Sequence, residues 1–267
     1  MTKPLLLAAF LMSGSLHSSA VEIIAHRGFS AVAPENTLAA FRLAWEKGAD
    51  ACENDIYLTA DNEIVVQHDK DTKRTTGISK NVSTSSSKDL LNLDVGSWKG
   101  AQWAAERLPT LKQSLDTMPK GRQRFFIEIK CGPEIVTALQ AVLEPMRDRA
   151  AQLAVITFNH EAAVQTKKVM PWLPVYYLAG GKTKDKKPRT DLTQVIADAK
   201  AHHFDGLDLG ADWPWSEALV KQVRNAGLKL YVWTVNKPER AQFYARLGVD
   251  GITTDDPVMV REALKQP

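Results

Sequence analysis

The stretch ADACENDIYLTADNEIVVQHD, residues 49–69, decides the fold of this chain. It holds two runs rich in apolar and β-branched side chains, which predict strands at 49–55 and 63–68. Only Ala-Asp-Asn at 60–62 separates ENDIYLT from EIVVQHD, a link of hairpin length whose Asp and Asn tolerate a left-handed backbone. A parallel crossover needs about a dozen residues or more. The second strand is therefore predicted to run antiparallel to the first, as an excursion above the main sheet.

Outside this stretch, strands alternate with amphipathic segments along the chain. Further strands are predicted at 21–26, 125–130, 154–158, 174–179, 206–209, 229–235 and 250–254. Helices are predicted at 37–47, 110–118, 134–149 and 216–225. Alternation of this kind indicates a parallel sheet, and eight strands remain once the excursion is set aside. The sequence thus predicts an α/β fold, a single (β/α)8 TIM-type barrel with an antiparallel hairpin excursion and a small loop-rich insertion at 69–108 after the second strand.

The first twenty residues have the layout of a secretory signal. Lys3 precedes an apolar run at 5–12, and small residues end at Ala20, the expected cleavage point. Eight apolar residues span about 12 Å of helix, whereas a bilayer core needs about 30 Å. We therefore expect a signal peptide at 1–20, one barrel domain at 21–267, a secreted or periplasmic protein, and no stable membrane insertion.

The charge of the chain is nearly balanced but unevenly placed. The 34 Lys and Arg against 31 Asp and Glu give +3, too small a charge for a protein that binds nucleic acid. The segment GGKTKDKKPR at 180–189 holds five basic residues and one acidic residue. Because it follows the strand at 174–179, it is predicted to lie on the rim where the strands end, either as a solvated loop or as a cationic flap that attracts anionic ligands or membranes. The sequence carries no feature that assigns an oligomeric state.

Two cysteines, Cys52 and Cys131, are expected to remain unbonded. If Glu53 and Glu128 lie at one level of neighbouring strands, the cysteines differ by four residues, or roughly 13 Å along the strand direction. A disulfide needs Cα atoms within about 7 Å of each other.

Polar side chains accumulate where the predicted barrel strands end, the edge that carries the reactive groups in such barrels. They are His26, Arg27, Glu53, Asp55, His68, Glu128 and Lys130. Strand side chains alternate, so Glu53 and Asp55 share a face while Asn54 points away. Trp233 also ends a strand and faces either the barrel interior or the substrate mouth.

These residue types together suit phosphodiester cleavage. The carboxylates of Glu53, Asp55 and Glu128 are hard ligands for Ca²⁺ or Mg²⁺. Arg27 and Lys130 would neutralise a phosphoryl oxygen, and the two histidines, His26 and His68, can exchange protons near neutral pH. Two alternatives stay open at this point: a purely structural ion-pair cluster, and a Schiff base on Lys130 as in aldolases.

At these residues the chain resembles the glycerophosphodiester phosphodiesterase family, which is related to phosphatidylinositol-specific phospholipases C. The matching motifs are HRG at 26–28, PENT at 34–37, E-x-D at 53–55, HD at 68–69, RTTG at 74–77, LPTL at 108–111, E-x-K at 128–130, WTVN at 233–236 and TD-x-P at 254–257. Two places depart from the family pattern. Asn54 stands where an apolar residue is usual, and Asp61-Asn62 replaces an Asp-Gly turn.

The resemblance implies one divalent cation, Ca²⁺ or Mg²⁺, on the residues matching Glu53, Asp55 and Glu128. It implies an acid and base pair at His26 and His68, phosphate binding by Arg27 and Lys130, and a place for Trp233 at the substrate mouth. The implied substrate is a small glycerophosphodiester, cleaved to glycerol 3-phosphate and an alcohol such as choline, ethanolamine or glycerol. Lysophospholipids are the alternative substrates, and a non-enzymatic exported phosphodiester-binding protein is the remote alternative.

Several other residues receive weaker interpretations. Glu35 and Asn36 are expected to cap the helix at 37–47 or to orient catalytic groups. Trp213 and Trp215 are expected in a rim loop, either as packed anchors or as a surface for a choline-type cation. The sequence assigns no role to the three remaining histidines of the mature chain, which stand at positions 160, 202 and 203.

Overall fold

The computed structural model describes residues 21–182 and 191–266. The predicted signal peptide at 1–20 and residues 183–189 of the predicted basic loop lie outside this part of the chain. Among the described residues, nine strands form one sheet: β1 Glu22–Ala25, β2 Ala51–Leu58, β3 Ile64–Val66, β4 Arg124–Ile129, β5 Leu153–Thr157, β6 Val175–Ala179, β7 Gly206–Gly210, β8 Lys229–Trp233 and β9 Gly251–Thr254. Every pairing is parallel except that of β2 with β3.

The sheet closes on itself, because β1 pairs with both β9 and β2. Setting β3 aside leaves eight parallel strands, so the predicted (β/α)8 barrel is confirmed. The antiparallel excursion is confirmed as well, with Ile56 opposite Val66 and Leu58 opposite Ile64. Asn62 in its turn has φ 64°, the left-handed conformation expected there.

Helices connect the strands around the outside of the barrel. They are α1 Leu38–Glu46, α2 Lys73–Thr76, α3 Ser87–Leu90, α4 Leu111–Leu115, α5 Val136–Leu143, α6 His160–Val169, α7 Leu192–Ala201, α8 Glu217–Asn225, α9 Pro238–Leu247 and α10 Pro257–Lys265. The prediction of one helix over 134–149 was wrong in part, since α5 is followed by a 3₁₀ segment, Glu144–Gln152. Pro145 lies at the start of that segment and lacks the N–H that would continue an α-helix.

The 69–108 segment packs around an apolar cluster of its own. It contains α2, α3 and the short 3₁₀ turns Val82–Thr84 and Ala101–Trp103. Val82, Leu90, Leu93, Val95 and Leu108 bury their side chains there against Val65 of β3. The hairpin and the segment that follows it therefore form one packed unit on the barrel rim.

The barrel interior has an apolar lower half and a polar upper half. Phe126, Tyr176 and Tyr231 fill the lower half with neighbouring small and aliphatic side chains. Below them Arg124 binds Glu22 at 2.9 Å and the Tyr176 hydroxyl at 3.1 Å. None of the helices described is long and apolar enough to cross a bilayer.

Both cysteines are free thiols, as predicted. The strand register differs from the one assumed, because Asp55 rather than Glu53 lies opposite Glu128. Cys52 is therefore level with Phe125, six residues below Cys131, which is roughly 20 Å along the strand. The conclusion stands with a larger separation.

Candidate active site

Three carboxylates meet inside the upper end of the barrel. Glu53 and Asp55 are alternate residues of β2, and Glu128 comes from the neighbouring β4. Their exposed fractions are 1%, 0% and 7%. One oxygen of each lies within 4.8 Å of the others. The register of two parallel strands thus builds a compact oxygen cluster, as the alternation of side chains predicted.

Asn54, between the two acidic residues of β2, points away from the cluster. Its side-chain amide donates to Ser114 Oγ of α4 at 2.9 Å. The polar residue at this usually apolar position is therefore accommodated by a hydrogen bond between barrel and helix, and it takes no part in the site.

Two positively charged side chains, Arg27 and Lys130, border the carboxylates. The backbone N–H of Arg27 donates to Glu53 Oε2 at 2.8 Å, and its Nε lies 3.2 Å from Asp55 Oδ2. Lys130 Nζ lies 2.7 Å from Glu128 Oε1 and 3.3 Å from Asp55 Oδ1. Arg27 and Lys130 consequently hold positive charge beside the cluster while leaving its centre to the three acids.

Burial and mutual repulsion shape the pKa values of these acids. Burial, Asp55 and Glu128 raise the pKa of Glu53 well above its ordinary value. Burial and Asp55 raise that of Glu128 to about 7, although Lys130 opposes them. Burial also acts to raise the pKa of Asp55, but Arg27 and Lys130 outweigh it and lower that pKa to about 2. The charged form of Asp55 is therefore favoured. The charged forms of Glu53 and Glu128 would need further positive charge nearby.

The cluster fits a hard divalent cation. Glu53 Oε1 is fully buried and has no hydrogen-bond partner among the described residues. A buried carboxylate oxygen without a partner costs free energy unless a proton or a metal compensates it. Three carboxylate oxygens are the ligand type that Ca²⁺ and Mg²⁺ prefer.

His26, at the end of β1, is held by a carboxylate that follows the neighbouring strand β9. Its Nδ1 lies 2.6 Å from Asp255 Oδ1, just beyond β9. Asp255 is itself fixed by Ser30 Oγ at 3.2 Å and by the Asn236 side-chain amide at 2.5 Å. The second ring nitrogen, Nε2, is thereby the one left for a reacting group.

His68 has a matching carboxylate of its own. Its Nδ1 lies 2.7 Å from Asp69 Oδ1, and Asp69 Oδ2 accepts from Arg74 Nε at 2.6 Å. Arg74 continues to both oxygens of Glu35, whose Oε1 accepts from Arg27 Nη1 at 2.8 Å. Burial, Arg27 and Lys130 lower the pKa of His68, so the neutral ring is favoured. This chain of ion pairs links His68 to Arg27, the arginine that borders the carboxylate cluster.

The HRG turn depends on unusual backbone conformations. Arg27 has φ 55° and Asn36 has φ 60°, both in the left-handed region, where non-glycine residues are uncommon. Gly28 has φ 78°, and a Cβ there would come within 2.6 Å of the Ala40 backbone. The turn thus needs glycine at position 28, and it holds the Arg27 N–H against Glu53.

A cavity of about 180 Å³ opens above the cluster, and Trp233 lines it. The indole N–H donates to the carbonyl of Asp208 at 3.1 Å, and its ring meets Phe158 edge to face with centroids 5.4 Å apart. Trp233 lies at the mouth, the position that the resemblance implied.

Of the two roles expected for Glu35 and Asn36, capping of the helix is wrong and orientation of the site residues is confirmed. Glu35 and Asn36 do not cap α1; Thr37 does, with its hydroxyl accepting from the Ala40 N–H. Glu35 pairs with the two arginines, and Asn36 donates to Asp55 Oδ2 at 2.8 Å, so both orient the site.

The two tryptophans of the rim loop are packed anchors. Trp213 is buried, with its N–H on the carbonyl of Ala179 at 2.7 Å, and Trp215 packs on Tyr244. Trp213 is therefore not free to stack on a cationic ligand, whereas Trp215 is half-buried.

Sequence reasoning assigned no site role to four residues that the structure brings to the site. They are Asp69, Arg74, Asp208 and Asp255. Three of them stand in the HD, RTTG and TD-x-P motifs, which was the available signal. Asp208 stands in no motif. Its side chain is buried at the floor of the same cavity, where burial and Glu128 raise its pKa well above the ordinary value.

The chain is similar to known proteins along most of its length. Residues 26–259 match the model of the glycerophosphoryl diester phosphodiesterase family. A glycerophosphodiester phosphodiesterase of Caldanaerobacter subterraneus is 32% identical over 240 residues, covering 88% of this chain and 94% of that protein. A phosphodiesterase of Oleispira antarctica, solved with its product sn-glycerol-3-phosphate, is 27% identical with a TM-score of 0.82, covering 92% and 97%. A glycerophosphodiester phosphodiesterase of Parabacteroides distasonis is 28% identical with a TM-score of 0.75, covering 92% and 97%.

Proposed function

The chain belongs to the glycerophosphoryl diester phosphodiesterase family, and from this premise we propose that it hydrolyses glycerophosphodiesters to glycerol 3-phosphate and an alcohol with the help of one divalent cation. One observation carries the proposal. Three buried carboxylates, two basic side chains and two histidines that are each paired with a carboxylate lie together at one end of the barrel. A product complex of a relative with glycerol 3-phosphate supports the substrate class.

Glu53, Asp55 and Glu128 would hold the cation, which is Ca²⁺ or Mg²⁺ by the chemistry of its ligands. When bound, it neutralises charge on the phosphoryl oxygens and on the attacking or leaving oxygen. Arg27 and Lys130 supply further positive charge at the same face. They would orient the phosphate and stabilise the charge that grows in the transition state.

The two histidines would move the protons. One accepts the proton of the glycerol 2-hydroxyl as that oxygen attacks phosphorus, and the other donates a proton to the departing alcohol. The P–O bond to the alcohol breaks as the bond to the 2-oxygen forms, which leaves a cyclic phosphate. Water then opens the ring with the proton transfers reversed, and glycerol 3-phosphate results. Direct attack by water on the diester uses the same pair of histidines.

Lys130 supports electrostatic rather than covalent catalysis. Burial acts to lower its pKa, but Glu128 and Asp55 outweigh burial and raise it. An ammonium held in this way is a poor nucleophile, because a Schiff base needs the neutral amine. The aldolase-type alternative is therefore disfavoured.

The cellular setting follows from the N-terminal sequence. The three-part layout of residues 1–20 supports export, so we propose a secreted or periplasmic enzyme acting on small diesters. Its near-neutral charge supports a role apart from nucleic acids. Lysophospholipids are the alternative substrate, since the same phosphate ester bond would be cleaved.

One assay tests the proposal. Glycerol 3-phosphate release from glycerophosphocholine is measured with Ca²⁺ or Mg²⁺, with EDTA, and in Glu53→Gln and His26→Ala. Each change is expected to lower kcat by more than about 100-fold, while Glu46→Gln, an exposed carboxylate on α1, keeps full activity.

Full activity in EDTA would overturn the role of the cation, and full activity in either site variant would overturn the role of that residue. Release from lysophosphatidylcholine but from no small diester would move the assignment to the alternative substrate.

A further inference from the structure

A second cluster of metal-ligating side chains lies on the outer flank of the barrel, away from the carboxylates. His160 is the first residue of α6, Asp198 belongs to α7, and His202 follows the last residue of α7. One ligand atom of each lies within 4.8 Å of the others. Asp198 and His202 are four residues apart, the spacing that places two side chains on one face of a helix.

The distances show how close the three groups already are. Both histidines lie close to the same oxygen of Asp198: His160 Nε2 is 3.0 Å and His202 Nδ1 is 3.1 Å from Asp198 Oδ1. Tetrahedral zinc with bonds of about 2.0–2.2 Å holds its ligand atoms roughly 3.3–3.5 Å apart. Each histidine–carboxylate pair needs to open by only a few tenths of an ångström to share such an ion, and all three ligand atoms already lie within 4.8 Å of one another.

Aromatic neighbours restrict both imidazole rings. The rings of His160 and His202 meet edge to face with centroids 4.8 Å apart. His202 stacks on Phe204 with centroids 5.8 Å apart, and His160 meets Tyr177 edge to face at 5.9 Å. Because the rings are held on several sides, little further ordering is needed when a ligand binds.

The donor set selects a different metal from the catalytic one. Two imidazole nitrogens and one carboxylate suit a borderline cation such as Zn²⁺, whereas three carboxylates suit Ca²⁺ or Mg²⁺. The three side chains are 41%, 27% and 35% exposed, in the order His160, Asp198, His202, so a metal can reach them. His202 Nδ1 also lies 3.0 Å from the carbonyl oxygen of Asp198, and a metal would replace that hydrogen bond.

We propose that His160, Asp198 and His202 form a second metal site that binds one Zn²⁺. Three protein ligands leave a fourth position for water or an anion. A cavity of about 380 Å³ adjoins the cluster and is lined by His160 and Asp198 together with Phe158 and Leu178. Phe158 and Leu178 also line the catalytic cavity. The ion would join the start of α6 to the end of α7 beside the substrate mouth.

The test uses the protein without an affinity tag, with excess Ca²⁺ present to occupy the catalytic carboxylates. Zn²⁺ is titrated by calorimetry, and Co²⁺ serves as a spectroscopic probe of nitrogen ligation. One equivalent of Zn²⁺ should bind, with a visible Co²⁺ band typical of four-coordinate sites and a rise in Tm. His160→Ala and His202→Ala should each weaken Zn²⁺ binding by more than about tenfold.

His203→Ala is the matched control, because the residue is the next histidine in the chain and lies outside the cluster. It should bind Zn²⁺ like the unaltered protein. Circular dichroism and release of glycerol 3-phosphate with Ca²⁺ should be unchanged in all three variants, so a folding defect is separable. The proposal is overturned if no Zn²⁺ binds in the presence of Ca²⁺, or if His203→Ala loses as much binding as His202→Ala.

Discussion

At the scale of single residues, each histidine of the site has a carboxylate on Nδ1. Asp255 serves His26 at 2.6 Å and Asp69 serves His68 at 2.7 Å. A carboxylate in this position fixes the tautomer and the ring orientation, and it stabilises the imidazolium that forms during proton transfer. The two pairs differ in their support, because Asn236 and Ser30 hold Asp255, whereas Arg74 holds Asp69.

We predict that Asp255→Asn lowers kcat by about 10- to 100-fold, because the amide can no longer hold His26 in the reactive tautomer. KM for glycerophosphocholine should change by less than about threefold, since Asp255 has no place in the phosphate-holding group. Steady-state kinetics of the cation-loaded enzyme measure both. A loss confined to KM would contradict a positioning role for Asp255.

The pKa values of the carboxylate cluster predict how stability depends on pH. The pKa of Glu128 in the folded, cation-free protein is about 7, above its ordinary value. The folded protein therefore holds a proton that the unfolded chain has released, and this contribution is present below about pH 4.5 and lost as the pH rises through about 7. The contribution of His68 to the pH dependence of stability has the opposite sign, because its lowered pKa makes the folded protein bind fewer protons than the unfolded chain.

In EDTA, the free energy of unfolding is expected to fall by about 3 kcal/mol in total between pH 4.5 and 8 because of Glu128, with about 1 kcal/mol of this loss between pH 6.5 and 8. Urea denaturation across this range measures it, and added Ca²⁺ should restore stability at pH 8. Glu128→Gln should flatten the decline, whereas the exposed Glu46→Gln should keep it. An unchanged slope in Glu128→Gln would show that Glu128 does not titrate in this range.

Which residues meet was predictable where a motif marked them, and how they meet was not. Strand alternation predicted that Glu53 and Asp55 share a face, and the position of these residues and of Glu128 at strand ends predicted that they meet at one rim. The chain of ion pairs through Arg74 and Glu35 was not predictable, because it joins α2 to the β1–α1 turn across 39 residues of sequence. The cluster of His160 with His202 was not predictable for the same reason, because α6 and α7 come together only in the folded chain.

At the scale of elements, the hairpin of β2 and β3 departs most from a regular barrel. Its pairing at 56–58 carries β2 three residues beyond the predicted strand end at 55, because a hairpin partner satisfies the backbone there. The return strand β3 delivers His68, and the segment after it delivers Asp69 and Arg74. The excursion thereby adds a second proton-transfer group, His68, to a rim where the barrel strands supply His26 and the carboxylates.

The turn of this hairpin offers a test of backbone strain. Asn62 has φ 64°, where a residue with a Cβ is disfavoured by about 1–2 kcal/mol and Asn and Gly are tolerated. We expect Asn62→Ala to lower the free energy of unfolding by about 1 kcal/mol, and Asn62→Gly to leave it unchanged or slightly higher. Chemical denaturation of both variants decides, and equal stability of the two would contradict a cost of the left-handed turn.

At the scale of the whole molecule, the barrel divides chemistry from stability along its axis. The reactive groups occupy the upper end, while the lower end is closed by Arg124, which binds Glu22 and lies over Phe126 with 4.8 Å to the ring centroid. The alternation of side chains along β4 shows this division. The successive inward residues are Arg124, Phe126 and Glu128, followed by Lys130 directly after the strand. One strand therefore runs from a structural ion pair to the proposed catalytic one.

This division predicts that the two ends respond separately to mutation. Arg124→Met leaves the mostly buried Glu22 carboxylate without its partner and should lower the free energy of unfolding by about 3–5 kcal/mol. Because Arg124 lies a strand length from the cavity, kcat per folded molecule should stay within about twofold. Urea denaturation with Ca²⁺ and glycerol 3-phosphate release measure the two quantities.

Two further variants make the test specific to burial. Arg147→Met breaks a surface pair with Glu144 and should cost at most about 1 kcal/mol, because exposed ion pairs are screened by water. Adding Glu22→Gln to Arg124→Met should restore part of the loss, since the unpaired charge is then gone. A fall in kcat of more than tenfold in folded Arg124→Met would show that the lower end controls the geometry of the carboxylates above it, and the separation of the two ends would have to be abandoned.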